Sequence, residues 1–272
     1  MLEHSNSMTA RKVIFITGAS SGIGKACFDH LTAMGHNVYG TSRKKSKTPN
    51  MLGLDVTNAD NCTEAVRFVL EKEGKIDVLI NNAGISSIGS IEETPNHIAR
   101  SLIETNFWGV LNMCHAILPQ MRQQGFGHII TIGSIAGLLA VPYQAHYSAS
   151  KFALEGYMEG LSMEVKQFGI QVCLIEPGDF LTSISDNRAI IQPSDNSPYK
   201  TSFNRAYDVI FNGEQNGAKP LRIAKLVEKI IHRKHVKVRY PVGKFMDVIS
   251  VPLKKILPQR LFEWLILNHY GL

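Results

Sequence analysis

From Lys12 onward, two kinds of apolar pattern alternate along the chain. The first is a short run with few polar interruptions: KVIFITG (12–18), HNVYGTS (36–42), MLGLDV (51–56), IDVLINNAG (76–84), GHIITIGS (127–134) and IQVCLIEPG (170–178). Runs of that length, rich in Val and Ile and closed by Gly or Ser, predict strands buried on both faces. The second kind repeats apolar residues three and four positions apart, as an amphipathic helix does. It covers IGKACFDHLTAMG (23–35), NADNCTEAVRFVLEKEG (58–74), TPNHIARSLIETNFWGVLNMCHAILPQMRQQG (94–125) and AHYSASKFALEGYMEGLSMEVKQFG (145–169). Asn58 stands where a helix wants an N-cap, and Gly35 where one stops.

Strand and helix in strict alternation give an α/β fold, a parallel sheet covered on both sides. Right-handed crossovers make it doubly wound, with about seven strands, and put ligands beyond the carboxyl ends of the strands. The rhythm breaks between 181 and 219, where turn formers mix with scattered aromatic residues, and this stretch is expected to be an irregular substrate lid. A helix (221–235) and a last strand, VKVRYPV (236–242), complete the pattern. One domain over 8–243 is expected, followed by an amphipathic extension, 244–272, interrupted at Pro252 and Pro258.

Composition changes this picture little. The 272 residues are 44% hydrophobic with a net charge of +6 and a pI near 9.1, enough for one large core and mildly basic. Basic residues gather only in RKKSK (43–47) and IHRKHVKVR (231–239), without a nucleic-acid-binding module, so no nucleic acid is expected as a partner. Cys27, Cys62, Cys114 and Cys173 are far apart and lack metal-ligand spacing. They read as reduced, packed thiols, and no HExxH pattern suggests a metal. Residues 1–7 are set aside as a tail, Met8 being an equally good start. No run of about 18 apolar residues spans a membrane, and the expected location is cytoplasmic.

Three stretches carry chemistry. TGASSGIG (17–24) joins the first strand to the first helix, where glycines let backbone approach a pyrophosphate facing the helix N-terminus. A tight turn would explain the same glycines. NNAG (81–84) ends the fourth strand, where Asn side chains can hold loop backbone beside a ligand, or simply mark a turn. YSASK (147–151) sets a phenol and an ammonium four apart, on one face of a helix.

Together TGxxxGxG, NNAG, Ser134 thirteen positions before Tyr147, and Lys151 resemble the short-chain dehydrogenase/reductase family over about residues 12–182. The resemblance implies a nicotinamide-dependent enzyme with Asn106, Ser134, Tyr147 and Lys151 as catalytic residues. Tyr147 would be the general acid or base and Ser134 a donor to the substrate oxygen. The Lys151 charge would draw the phenol pKa down from its usual value near 10. Lys151 would also bind the nicotinamide ribose, and Asn106 would support a proton relay through water to Lys151. The cofactor would contact Gly18, Ser20, Ser21, Gly22, Ile23 and Gly24, then Asp55 and Val56 at the adenine. Asn82, Ala83, Gly84, Tyr147 and Lys151 would follow, with Pro177, Gly178 and Thr182 at the carboxamide. After the second strand stand Ser42 and Arg43 with no carboxylate, which fits an adenosine 2′-phosphate and predicts NADP(H).

YSASKFALEG with GIQVCLIEPGDFLT is most similar to the branch holding estradiol 17β- and retinol dehydrogenases, implying a lipophilic ketone or aldehyde: steroid, retinoid or long-chain acyl. A β-ketoacyl carrier-protein reductase and a non-catalytic dinucleotide sensor are the alternatives. Ile190, Ile191, Tyr199, Phe203 and Tyr207 are candidates either to line an apolar pocket or to anchor the lid. His115 is expected to be packed within its helix, and Phe107 and Trp108 to be core or subunit contacts. The resemblance further implies a homodimer or homotetramer built on the helices near 98–122 and 147–167. The tail can cover the substrate entrance, pack on a subunit or touch a membrane surface, with packing on the body as the default.

Overall fold

The computed structural model describes residues 11–44, 47–182 and 188–272. Residues 1–10, with the expected tail, and Lys45, Ser46 and Ile184 therefore lie outside the described residues. Seven parallel strands form the central sheet: β1 (Val13–Ile16), β2 (Asn37–Ser42), β3 (Met51–Gly53), β4 (Val78–Asn81), β6 (Gly127–Ile132), β7 (Ile170–Pro177) and β9 (Arg239–Val242). Their spatial order is β3-β2-β1-β4-β6-β7-β9. The order reverses between β1 and β4, which opens a crevice at the carboxyl ends of these two strands. A separate two-stranded ribbon pairs β5 (Ser87–Ile88) with β8 (Ala189–Ile190).

The near-continuous apolar runs follow from burial on both sides. One face carries Phe15, Leu79, Ile129 and Leu174, packed under α2 (Ala59–Glu73), α4 (Gly109–Gln124) and α5 (Ala145–Val165). The other carries Ile14, Ile80, Ile130 and Ile175 under α1 (Gly22–Ala33) and α7 (Leu221–Ile231). Removing each such side chain from water contributes about 1.5–3 kcal/mol, which holds the layers together. Asn58 caps α2, its side chain accepting from the Asn61 N–H at 3.0 Å. The four cysteines are free and buried.

The structure departs from the pattern reading in several places. Within 181–219 lies a regular helix, α6 (Lys200–Gln215). Phe203, Ala206 and Ile210 are its buried residues, a spacing of three and four that the surrounding Asn, Ser and Gly residues obscured in the sequence. The predicted helix over 94–125 comprises α3 (Asn96–Ile103) and α4, joined by a π-helical turn, Glu104–Trp108, centred on Asn106. Such turns widen the backbone and recur at functional sites. Pro252 does not interrupt the tail but sits inside α8 (Phe245–Ile256), whereas Pro258 separates it from α9 (Gln259–Tyr270). His115 is exposed on α4 rather than packed. Phe107 packs against the core while Trp108 is largely exposed.

Candidate active site

The crevice continues into a cavity of about 900 Å³. One end is formed by the β1–α1 turn. Gly18 and Gly22 have φ of +67° and +55°, a conformation that only glycine adopts without strain. The Thr17 hydroxyl accepts from the N–H groups of Asn82 and Ala83 at 2.9 and 3.0 Å, and Asn82 Nδ2 donates back to the carbonyls of Thr17 and Gly18 at 3.0 and 2.8 Å. These four bonds tie the two glycine-containing motifs into one wall. Gly18, Ser20, Ser21, Gly22, Ile23, Asn82, Ala83 and Gly84 line it. Gly24 is among the expected cofactor contacts but is absent from this wall. A Cβ there would stand 2.2 Å from the Gly18 carbonyl oxygen and 2.4 Å from Asn82 Nδ2, so its role is close packing of α1 under the turn.

Beyond β2 the cavity is lined by Thr41, Ser42, Arg43 and Lys44, and beyond β3 by Asp55 and Val56. Two cations with hydroxyl donors and no carboxylate directly after β2 match a ribose that carries a phosphate. Pro177, Gly178 and Thr182 line the cavity past the end of β7. Glycine cradle, basic pocket and helix N-terminus thus fit a phosphorylated dinucleotide by the chemistry of their donors.

Tyr147, Lys151 and Ser134 line the cavity where the two parts meet. Lys151 Nζ donates to the Ile132 carbonyl at 3.0 Å and lies 5.8 Å from the centroid of the Tyr147 ring. Ser134 caps the short 3₁₀ turn Ile135–Gly137 by accepting from the Ala136 N–H at 3.1 Å. That turn presses so closely on α5 that a Cβ at Gly137 would stand 2.9 Å from the Lys151 carbonyl oxygen. Gly137 thereby lets the turn that follows Ser134 lie against the backbone of α5, a role that no spacing in the sequence signalled.

The expected electrostatics need correction. Burial pushes the Tyr147 phenol above its ordinary range, while a hydrogen bond with Ser134 and the Arg188 charge pull it back. Lys151 is not among the groups that pull it down. Burial instead lowers the Lys151 ammonium to about 8, opposed by the carboxylate of Glu155 one turn along the same face. Behind it Glu176 is fully buried, with neither carboxyl oxygen in hydrogen-bond geometry with a partner, and burial pushes its pKa up to about 8.

Asn106 is completely buried outside the cavity wall. Its side chain accepts from the Ile85 N–H at 2.8 Å and donates to the Ile85 carbonyl at 2.9 Å and to Ser150 Oγ at 3.0 Å. None of these bonds goes to Lys151; they clamp the loop after NNAG onto α5. Ser150 in turn donates to the Tyr147 carbonyl at 2.7 Å. The side chain of Asn106 therefore positions backbone on either side of the cleft.

The far part of the cavity was not legible beforehand. Leu139, Val141, Ile210, Phe262 and Ile266 give it apolar walls, and Arg188, Glu214 and Tyr270 add polar groups. Arg188 forms a bidentate ion pair with Glu214 and donates to Ser86 Oγ at 3.2 Å, joining β8, α6 and the approach to β5. The five lid candidates lie outside the cavity. Phe203 stacks on Tyr207, Tyr199 donates to Glu92, and Ile191 packs over Gly89. Ile191, Tyr199, Phe203 and Tyr207 anchor the lid rather than line a pocket, while Ile190 is exposed.

A doubly wound sheet with a dinucleotide-shaped cleft at its switch point, and a buried Tyr–Lys pair beside it, defines a class of nicotinamide-dependent oxidoreductases. The model of the family described as short chain dehydrogenase matches residues 12–190. The chain belongs to this family. It is 43% identical to a 3-ketodihydrosphingosine reductase from Bacteroides thetaiotaomicron, over 96% of this chain and 98% of that one. A crystal structure of a short-chain dehydrogenase from Streptomyces avermitilis superposes with a TM-score of 0.82 at 31% identity, covering 95% of this chain and 98% of the other. Another from Burkholderia cenocepacia, in complex with NADP, gives 0.74 at 25% identity over 94% and 97%. None of the three bears an estradiol or retinol dehydrogenase name.

Proposed function

We propose that the chain is an NADPH-dependent reductase of ketones carried on long alkyl chains, with a 3-keto sphingoid base as the favoured substrate. The observation that carries this reading is the cavity itself, which is lined from Tyr147 by Leu139 and Val141 and on by Phe262 and Ile266, with Arg188, Glu214 and Tyr270 among its polar groups. Ile249 and Leu253 of α8 and Phe262 and Ile266 of α9 add apolar wall against which a long alkyl chain can pack. The Bacteroides relative's name supports the same class, as the NADP complex of the Burkholderia structure supports the cofactor.

The glycine wall, with Ser42 and Arg43 for a 2′-phosphate, would hold NADPH, which would supply the hydride for the carbonyl carbon. The chain's own residues manage the oxygen. Ser134 donates a hydrogen bond to it and Tyr147 gives up the phenolic proton as negative charge develops. The phenolate left behind is balanced by Lys151, which with a pKa of about 8 is mainly an ammonium at neutral pH. The phenol's elevated pKa keeps it protonated and ready to donate in the reducing direction. Asn106 holds the floor of this arrangement through Ile85 and Ser150.

The reading is tested by NADPH consumption against 3-ketodihydrosphingosine, a steroid ketone, retinal, a long-chain aldehyde and an acyl thioester. The expected outcome is the highest kcat/KM for the keto sphingoid base. Preference for the steroid or the thioester would overturn it in favour of the corresponding branch, and no turnover with any of them would favour a dinucleotide sensor.

A further inference from the structure

We propose that the outward apolar faces of α8 and α9 dock on the surface of an anionic lipid bilayer, with the mouth of the cavity turned toward it. Phe245 and Ile256 on α8 are each 77% exposed, Met246 is 69% exposed, and Trp264 on α9 is 59% exposed. Single exposed apolar residues are ordinary, but large ones gathered on two adjoining helices mark an interaction surface.

Helical phase shows how this surface relates to the cleft. At about 100° per residue, Phe262, Ile266 and Tyr270 form one stripe of α9, and all three line the cavity. Leu261, Trp264 and Leu265 form the neighbouring stripe and are exposed. On α8, Phe245, Ile249 and Ile256 share a stripe whose middle member lines the cavity while both ends are exposed. Leu265 both lines the cavity and is exposed, so the apolar lining continues there onto the outer surface, with His269 as its polar neighbour at the rim. A second copy of the chain seated on this stripe would close the entrance, whereas a bilayer seated there would supply molecules to it.

Charge favours an anionic surface. The extension carries Lys244, Lys254, Lys255 and Arg260 against Asp247 and Glu263. Lys254 is turned inward to the Leu138 carbonyl, and Asp247 is held by the N–H groups of Lys244 and Asp179. Lys255 and Arg260 are exposed, as is Lys244, whose ammonium also donates to the Gly213 carbonyl at 3.4 Å, and Glu263 is the one exposed carboxylate among the described side chains of the extension. Such a basic, aromatic, apolar arrangement lies in the headgroup region rather than across the bilayer. Consistently, no described helix is long and apolar enough to cross a membrane. Only the choice of a lipid partner leans on the lipophilic-substrate reading; the docking itself can be measured without any substrate.

The experiment is flotation of the full chain with phosphatidylcholine vesicles, alone or with about one-third phosphatidylglycerol. We expect the protein to float with the anionic vesicles, less so at high salt, and Trp264 emission to shift to the blue in a Trp108→Phe background. The triple variant Phe245→Ser/Ile256→Ser/Trp264→Ser should stay at the bottom while keeping turnover of a short, soluble ketone, since none of the three lines the cavity. If that variant loses turnover through misfolding, Lys255→Glu/Arg260→Glu decides, with partitioning expected to fall by about tenfold or more. The proposal is overturned if wild type ignores both vesicle types, or if the substituted chains float as wild type does. It is equally overturned if the triple variant changes only the size of the protein in solution, the mark of a contact between copies.

Discussion

Lys151 Nζ lies 5.8 Å from the centroid of the Tyr147 ring and is anchored to the Ile132 carbonyl at 3.0 Å, which holds one cation beside the phenol. A cation in this position favours the phenolate that proton transfer leaves behind. Tyr147→Phe should therefore abolish turnover while leaving NADPH affinity, measured by titration calorimetry, within about twofold. Loss of a general acid costs about 10²–10⁴ in rate. A variant that retains more than a tenth of wild-type kcat would remove Tyr147 from the chemistry.

Arg43 lines the cavity after β2 together with Ser42 and Lys44. Hydrogen bonds to a charged group are worth about 1.5–3 kcal/mol, roughly 10- to 100-fold in affinity. Arg43→Ala should raise the KM for NADPH by that factor and hardly change the KM for NADH. Equal effects on both cofactors would place the 2′-phosphate elsewhere.

Gly24 faces backbone and not ligand. In Gly24→Ala the new methyl would stand 2.2 Å from the Gly18 carbonyl oxygen. Overpacking of this kind costs about 1–3 kcal/mol, and here it also separates the turn from Asn82. Denaturant unfolding should show the destabilisation and titration should show NADPH binding weakened by about tenfold or more. Unchanged stability would mean that α1 moves freely against the turn.

Glu176 is buried with its carboxyl pushed up to about 8, above the ordinary carboxylate value. In the unfolded chain it ionises near pH 4, so between these values unfolding releases a proton and stability falls as pH rises. Glu176→Gln removes that dependence. Its Tm should exceed that of wild type by a margin that grows from about pH 5 to pH 8, each kcal/mol being worth about 2–4 °C in a chain of this size. A margin that stays constant across this range would show that another group titrates.

What could be read along the chain was whatever depends on short-range pattern. Continuous apolar runs ending in glycine identified β1, β4, β6 and β7, because a strand covered on both faces has no polar side to show. TGASSGIG, NNAG and YSASK were equally legible, since each must satisfy a local backbone or one-helix constraint. α6 stayed hidden because only three of its residues reach the core, and their spacing was masked by polar neighbours. Packing in three dimensions decided the rest. Asn82 met Thr17 across 65 positions, and Arg188 found Glu214 across 26. Gly137 came against the backbone of Lys151, and α8 and α9 folded back to wall the cavity. The sequence by itself determined the sheet, the nucleotide cradle and the Tyr–Lys pair, because these rest on periodicity and neighbouring residues. The tertiary structure alone decided where the Lys151 charge sits, what lines the substrate end and which face of the tail remains outside, because burial and approach between distant segments leave no local period to read.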